Sequence, residues 1–287
     1  MSDDRRRLES LLAFWAGAGV DTCLADAPVD RLAPPVRGVT EPAPERTRTP
    51  QARTSTSAQA PREPTAAVNT PAAPAPGTGI DLERLIDEAR SAAAACEDLA
   101  ALQLAIAEFD GCTLKAGARQ AVFARGAAGA PVFVIGQAPG GEEDRQGVPF
   151  VGRAGQLLDR MLAAIGASER AFITNTVFWR TPGKREPTPA EQAVCMPFLE
   201  RAIVLAEPKV LLLLGACAAR SVMGTRENIL QLRGRWMAWR SADGEVEIPA
   251  LPIHNPGFLL QQPVAKKVAW HDLLLLHERL DRPARPG

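Results

Sequence analysis

The chain alternates short, predominantly apolar runs with stretches in which apolar residues recur every three or four positions. The apolar runs fall at 132–136, 171–175, 209–215 and 248–253. Runs of this length without a polar break suit strands covered on both faces. The helical spacing occupies 82–95, 99–109, 154–165, a stretch starting near Thr188, and 264–280. The segment Thr188-Pro189-Ala190-Glu191 reads as an N-cap, a proline at the first helical position and an acid in the first turn. Strands that alternate with crossover helices predict an α/β fold, a three-layer α/β/α sandwich around a central four-stranded parallel sheet. Each apolar run ends in unusual residues: 136–140 read GQAPG, 174–175 read TN, 215–216 read GA and 254–257 read HNPG. In an open parallel sheet these carboxyl ends share one edge, where ligands bind. Residues far apart in sequence are thus expected to meet in one cleft.

The pattern divides the chain into three parts. Leu8, Leu11, Leu12 and Trp15 form one apolar face over 6–17, so residues 1–27 are expected to be a short helical segment that docks on something. Residues 28–79 hold 11 of the chain's 25 prolines, with Ala, Thr, Ser and Arg between them. That composition buries too little apolar surface to offset the entropy of ordering, so it reads as a disordered tether. Residues 80–287 carry the alternating pattern and are expected to form the working domain.

Charge narrows the function classes. Lys plus Arg is 33 and Asp plus Glu is 33, so the net charge is zero and bulk coating of a polyanion is excluded. Any nucleic-acid contact must be a local patch. Arg233 and Arg235 form one such cluster, and Arg180, Lys184 and Arg185 form another beside Asn175; both are read as DNA contacts at the cleft. The five cysteines (Cys23, Cys96, Cys112, Cys195 and Cys217) are odd in number and contain no CxxC pair, which does not fit a secreted disulfide framework. The charged start MSDDRRRLES has no apolar signal core, and no apolar run approaches bilayer length. The chain is therefore expected to be a cytoplasmic monomer with no membrane partner.

The candidate chemistry begins at Gly136, where the sequence reads GQAPGGEEDRQGVPFVGRAGQLLDRML. A Gly-Pro-Gly loop between strand and helix lets backbone N–H groups approach a phosphate or a flat base. Phe150, in a Pro-Phe-Val-Gly turn, could hold a ring face-on to a base. This 27-residue run resembles the first motif of the family-four uracil-DNA glycosylases, whose pattern is GEAPG, an acidic pair and then G-x-PFVG-x-AG-x-LL. Ile173-Thr174-Asn175 resembles their ITN strand end, Leu232-Arg233-Gly234-Arg235-Trp236 their RGKW-like loop, and LPIHNPGFLL at 251–260 the segment that carries their His-Pro motif. The resemblance covers about residues 105–280, and LLAFWAGAGVD at 11–21 is similar to a lead-in of proteobacterial members.

The resemblance implies hydrolysis of the N-glycosidic bond of deoxyuridine in DNA, the first step of base excision repair. The base is flipped out of the duplex at a cost of a few kcal/mol. It then stacks on Phe150, while Asn175 reads its polar edge and Gly136 and Ala138 line its pocket. Pro139, Gly140, Arg233, Gly234, Arg235, Pro256 and Gly257 are implied DNA contacts. Leu259 and Leu260 are read as pushing into the helix as the base leaves it.

Three departures alter this picture. Gln137 stands where the family has Glu, and an amide can orient water but carries no charge. The acids after the loop, Glu142, Glu143 and Asp144, are read as solvated or helix-entry groups. The family's catalytic His position falls on Asn255 when counted without gaps, or on His254 if one residue is inserted. Gln137 with Asn255 or His254 is thus the expected catalytic set, and losing a positioned acid, base or oxyanion donor costs ~10²–10⁴ in rate. The family also holds a four-iron cluster on four Cys. The aligned positions here are Phe109, Cys112, Trp179 and Cys195, so no cluster, no other cofactor and no metal are expected, with Cys112 and Cys195 left as a buried thiol pair. Two further readings stay open: a weak or inactive glycosylase fold that binds damaged DNA, and a glycosylase for another deaminated base.

Overall fold

A computed structural model describes residues 79–281. The expected helix at 6–17 and the Pro-rich segment lie outside the described residues, except for Gly79, which starts the first helix. In chain order the main elements are α1 (Gly79–Ala94), α2 (Leu99–Glu108), β1 (Arg125–Gly126), β2 (Val132–Gly136), α3 (Gly141–Gln146), α4 (Arg153–Ala164), β3 (Ala171–Asn175) and α5 (Pro189–Ala206). They continue with β4 (Val210–Leu214), α6 (Gly215–Met223), α7 (Ile229–Leu232), β5 (Met237–Arg240), β6 (Glu247–Ile253), α8 (Pro256–Gln261) and α9 (Lys266–Asp281).

The sheet order is β1-β3-β2-β4-β6-β5. Its four middle strands are parallel, and they are the four apolar runs of the sequence. The sheet is nevertheless six-stranded, not four-stranded. β1 adds to β3 and β5 adds to β6, both antiparallel. Neither edge strand has a fully apolar pattern. β1 is two residues long, and in β5 only Trp239 is buried. An edge strand needs cover on fewer sides, so it carries no long apolar run.

The period-two alternation of the middle strands feeds two separate cores. Phe133, Ile135, Leu211 and Leu213 pack with Leu102 of α2, Phe198 of α5 and Ala218 of α6. Val132, Val134, Leu212 and Leu214 pack on the other face with Leu158 of α4 and Leu273 of α9. Helices on both faces give the three-layer sandwich. The start of α5 is fixed by a capping box: Thr188 Oγ1 accepts from Glu191 N at 3.2 Å and Glu191 Oε2 accepts from Thr188 N at 2.7 Å. Such a cap contributes about 1 kcal/mol. It also sets where the loop after β3 must end. Among the described residues no helix is long and apolar enough to cross a membrane.

Candidate base-binding cavity

The carboxyl ends of the parallel strands open into a cavity of ≈ 560 Å³. Register brings its parts together. Gly136 at the end of β2 pairs with Asn175 at the end of β3, and Leu214 of β4 pairs with Ile253 of β6 just before His254 and Asn255. Gln137, Ala138, Pro139 and Gly140 line it together with Phe150, Asn175, Asn255 and Gly257. Gly136, expected to line the base pocket, does not itself line the space; it packs against the Phe150 ring and the Asn175 side chain.

Two glycines make room for the lining side chains Phe150 and Asn175. A Cβ at Gly136 would overlap both the Phe150 ring and Asn175 Oδ1, so only a hydrogen there lets the ring and the amide lie side by side. Phe150 itself has φ 56, an uncommon conformation for an aromatic residue. Its carbonyl is received by Gly155, where a Cβ would collide with the Phe150 backbone. The PFVGRAG spacing is thus a device that holds one ring against the strand ends. Asn175 is 1% exposed, and its Oδ1 is buried with no hydrogen-bond partner among the described residues. An unpaired buried amide oxygen costs about 1–3 kcal/mol, so it needs a reason, and a ligand edge supplies one.

The remaining expected residues separate. Asn255 lines the cavity, but its side chain is engaged: Oδ1 accepts from Gly257 N at 2.8 Å as the N-cap of α8, and Nδ2 donates to Leu214 O at 3.3 Å. His254 does not line the cavity. It is 5% exposed and stacks on Phe258 with centroids 5.0 Å apart. Burial and the nearby Arg233 guanidinium push its pKa below the ordinary histidine value. Alternation along the strand end separates the two neighbours, so that Asn255 lines the cavity and His254 does not.

Arg233 is not at the cavity either. It makes an ion pair and hydrogen bonds with Asp272 of α9, which is 1% exposed, and donates to Val268 O at 3.0 Å. Gly234, at φ +71, has no room for a Cβ beside Asp272. Its N–H donates to Pro252 O at 3.0 Å. This loop is a lock between β6 and α9. Arg235 is exposed and pairs with Glu227 at 3.1 Å, and Pro256 is buried at the first turn of α8. Leu259 is core at 1% exposure, while Leu260 and Phe258 are exposed.

Glu143 stands in the first turn of α3, in keeping with a helix-entry group, and it also lines the space, where its Oε1 accepts from Gly152 N at 2.9 Å. Its place is explained by α3, which starts at Gly141 and turns its first residues back over the Gly-rich loop. Asp144 is buried and accepts from Arg119 N at 2.8 Å. The loop after β3 adds Arg180, Thr181, Gly183, Lys184 and Arg185 to the lining.

The comparisons with known proteins agree with this geometry. Residues 123–274 match the family model described as the uracil DNA glycosylase superfamily. The chain belongs to the uracil-DNA glycosylase superfamily. A type-4 uracil-DNA glycosylase of Sulfurisphaera tokodaii is 36% identical over 162 residues, which cover 54% of this chain and 73% of that protein. A type-4 enzyme of Pyrobaculum aerophilum is 33% identical over 183 residues, covering 62% and 92%. One from Thermotoga maritima is 36% identical over 152 residues, covering 52% and 77%.

The four-iron cluster implied by resemblance to type-4 uracil-DNA glycosylases can be tested on the donor set. Cys195 Sγ lies 3.9 Å from Cys112 Sγ, and both residues are buried. Cys195 Sγ donates to Cys112 Sγ; this bond and burial push the Cys195 pKa well up, while at Cys112 the same bond outweighs burial and lowers the pKa. The other two positions hold rings. Phe109 packs edge-on against Phe198 with centroids 5.1 Å apart, and Trp179, 1% exposed, packs edge-on against Phe178. Two thiols among aromatic rings do not fit a group that takes four thiolates.

Proposed function

We propose that this protein is a uracil-DNA glycosylase that removes uracil from DNA through the cavity at the strand ends, acting as a cytoplasmic monomer. The observation that carries the reading is the pairing of Phe150 with the orphaned Oδ1 of Asn175 above Gly136. A flipped pyrimidine would stack on the ring and offer an N–H to the buried oxygen. A base without that donor leaves the oxygen unpaired, and such penalties give discrimination of about 10⁴–10⁵ in sites of this kind. The Gly-rich loop from Gly136 to Gly140 turns its backbone toward the same space. Gln137 lines the wall where a water could be oriented, and its backbone carbonyl is fixed by Thr176 Oγ1 at 2.6 Å. Glu143 brings the one carboxylate among the cavity-lining residues, a negative charge available to the sugar as its bond to the base weakens. The domain works without an iron cluster on this reading, since the Phe109 and Trp179 rings take the places of two ligands.

The test is cleavage of a uracil-containing oligonucleotide followed by alkali to break abasic sites. Wild-type protein is expected to yield cleavage that the Phe150→Ala, Asn175→Ala double variant lacks. Equal cleavage by both would remove the cavity from the reaction.

A second reading has its own support. Asn255 has its carbonyl oxygen committed to Gly257 and its amide to Leu214. That leaves one N–H for a departing base, where a catalytic histidine would offer a mobile proton. A protein so built would bind uracil or abasic DNA and turn over slowly. Uracil-dependent binding without cleavage in the same experiment would favour it.

A further inference from the structure

The cavity has two basic loops near it, and the structure uses them differently. Arg233 and Arg235 have carboxylate partners. In the loop after β3, Arg185 is also engaged, gripping Glu191 with two hydrogen bonds of 2.8 and 2.6 Å. Arg180 and Lys184 are different. Arg180 has Asp144 Oδ2 at 3.9 Å, beyond hydrogen-bond reach, and the other oxygen of that carboxylate accepts from Arg119 N. Lys184 has no ion-pair partner among the described residues. Both are exposed on the cavity wall.

Lys184 also has an unusual backbone. Gly183 and Lys184 both have positive φ, 61 and 59. Glycine meets that conformation freely, but for a lysine it is strained, and such strain persists where the surroundings enforce it. Here they do. Thr181 Oγ1 donates to Arg185 O at 2.8 Å, Arg185 N donates to Pro182 O at 3.2 Å, and the Arg185–Glu191 fork ties the turn to the capped start of α5. The turn is braced from both sides while the one residue it strains is an unpaired cation at the mouth of the site.

We propose that Arg180 and Lys184 form a one-sided clamp for the DNA phosphates that flank the extrahelical nucleotide, with Arg185 and Glu191 as positioning residues. This inference rests on the cavity being the DNA-facing site. Two exposed cations in one loop lining the cavity offer a passing backbone two points of attachment, and a neutral chain needs such a local patch to hold DNA at all.

The test is the salt dependence of DNA binding by the full-length chain, measured on duplexes with and without a single uracil. For Arg180→Ala, Lys184→Gly, the slope of log K against log salt is expected to fall by about 1.8 on both duplexes, two phosphate contacts at ~0.9 each. Arg240→Ala, which alters an exposed arginine on edge strand β5, is expected to keep the wild-type slope. Lys184→Gly alone should raise the melting temperature by about 2 °C while weakening binding, because it relieves the strained φ. A purely structural lysine would show a fall in melting temperature and unchanged binding. An unchanged slope in the double variant, or an equal fall in Arg240→Ala, overturns the clamp. Loss of slope without any preference for uracil keeps the clamp and overturns the uracil reading. A uracil preference with an unaltered slope does the reverse, and absence of DNA binding by the wild type overturns both.

Discussion

The strand-end cavity and the Cys112–Cys195 site are two places where the sequence differs from the family-four pattern that it resembles, and the structure treats them in opposite ways. At the cavity, the amides Gln137 and Asn255 stand where the resemblance implies ionisable groups. The space is open, and Gly136 and Gly155 leave room for the Phe150 ring and the Asn175 amide at its edge. At the thiol pair, two of the positions where the resemblance implies cluster ligands hold Phe109 and Trp179, and these rings are packed into the core with Phe198 and Phe178. One site is an open space lined by amides. The other is aromatic packing around two thiols. A pocket survives loss of chemistry when its walls cannot collapse, whereas a ligand shell is readily replaced by large apolar side chains that bury more area.

That contrast can be pushed hardest at Gln137. If only charge is missing from an intact cavity, Gln137→Glu should raise uracil cleavage by ~10²–10⁴, the usual worth of a positioned acid or base, as read in single-turnover assays. No gain would mean that the cavity has lost more than charge. Next comes Gly136→Ala, whose methyl would displace the Phe150 ring and the Asn175 amide. Overpacking of this kind costs about 1–3 kcal/mol. Uracil preference in binding is expected to drop by about tenfold or more while circular dichroism stays native-like, and retention of full preference would contradict the stacking geometry.

On the thiol side, Cys112→Ala, Cys195→Ala should lower unfolding stability by about 1–3 kcal/mol through lost packing. It should leave uracil preference within twofold, since the pair serves the core and not the site. A large change in preference would join the two regions that the comparison separates. The smallest effect concerns the brace of the cavity loop. Burial pushes the Glu191 carboxyl up, but the Arg185 guanidinium and the Thr188 amide and hydroxyl outweigh it and hold the pKa below its ordinary value. A carboxylate so depressed adds stability that is complete above the unfolded-state pKa of about 4.3 and is lost as pH falls through the folded value. Glu191→Gln should therefore melt lower than wild type by about 2 °C near pH 7, with Arg185 half in solvent and the pair weakened accordingly. The gap should close below about pH 4. A gap independent of pH would mean that the ion pair contributes nothing.

Much of the fold was legible in the residues, because each middle strand is an unbroken apolar run between helices of helical period. Strands 132–136 and 171–175 have the bounds their patterns predict, and Thr188 caps α5 as its TPAE signature requires. β1 and β5 were not legible, since a two-residue pairing and a strand with one buried side chain leave no period to read. In the site, Gly136, Phe150 and Asn175 could be identified by motif. The fates of charged residues could not. Arg233 looks like a phosphate contact until Asp272, 39 positions later, is found beside it. Glu143 reads as a solvated or helix-entry acid, with nothing local to say that α3 turns it into the cavity. Long-range partners decide whether a charge is available, and no local spacing encodes them.

A cavity that reads uracil through Asn175 Oδ1 must separate it from a pyrimidine without the N3–H, which thymine shares with uracil and cytosine lacks. The direct measurement is competition binding of two duplexes that differ by uracil against cytosine at one position opposite thymine, for wild type and for Phe150→Ala, Asn175→Ala. At least tenfold preference for uracil is expected in the wild type (on the order of one good hydrogen bond) and none in the variant. Equal affinity of the wild type for both duplexes, or a preference that survives in the variant, would contradict it.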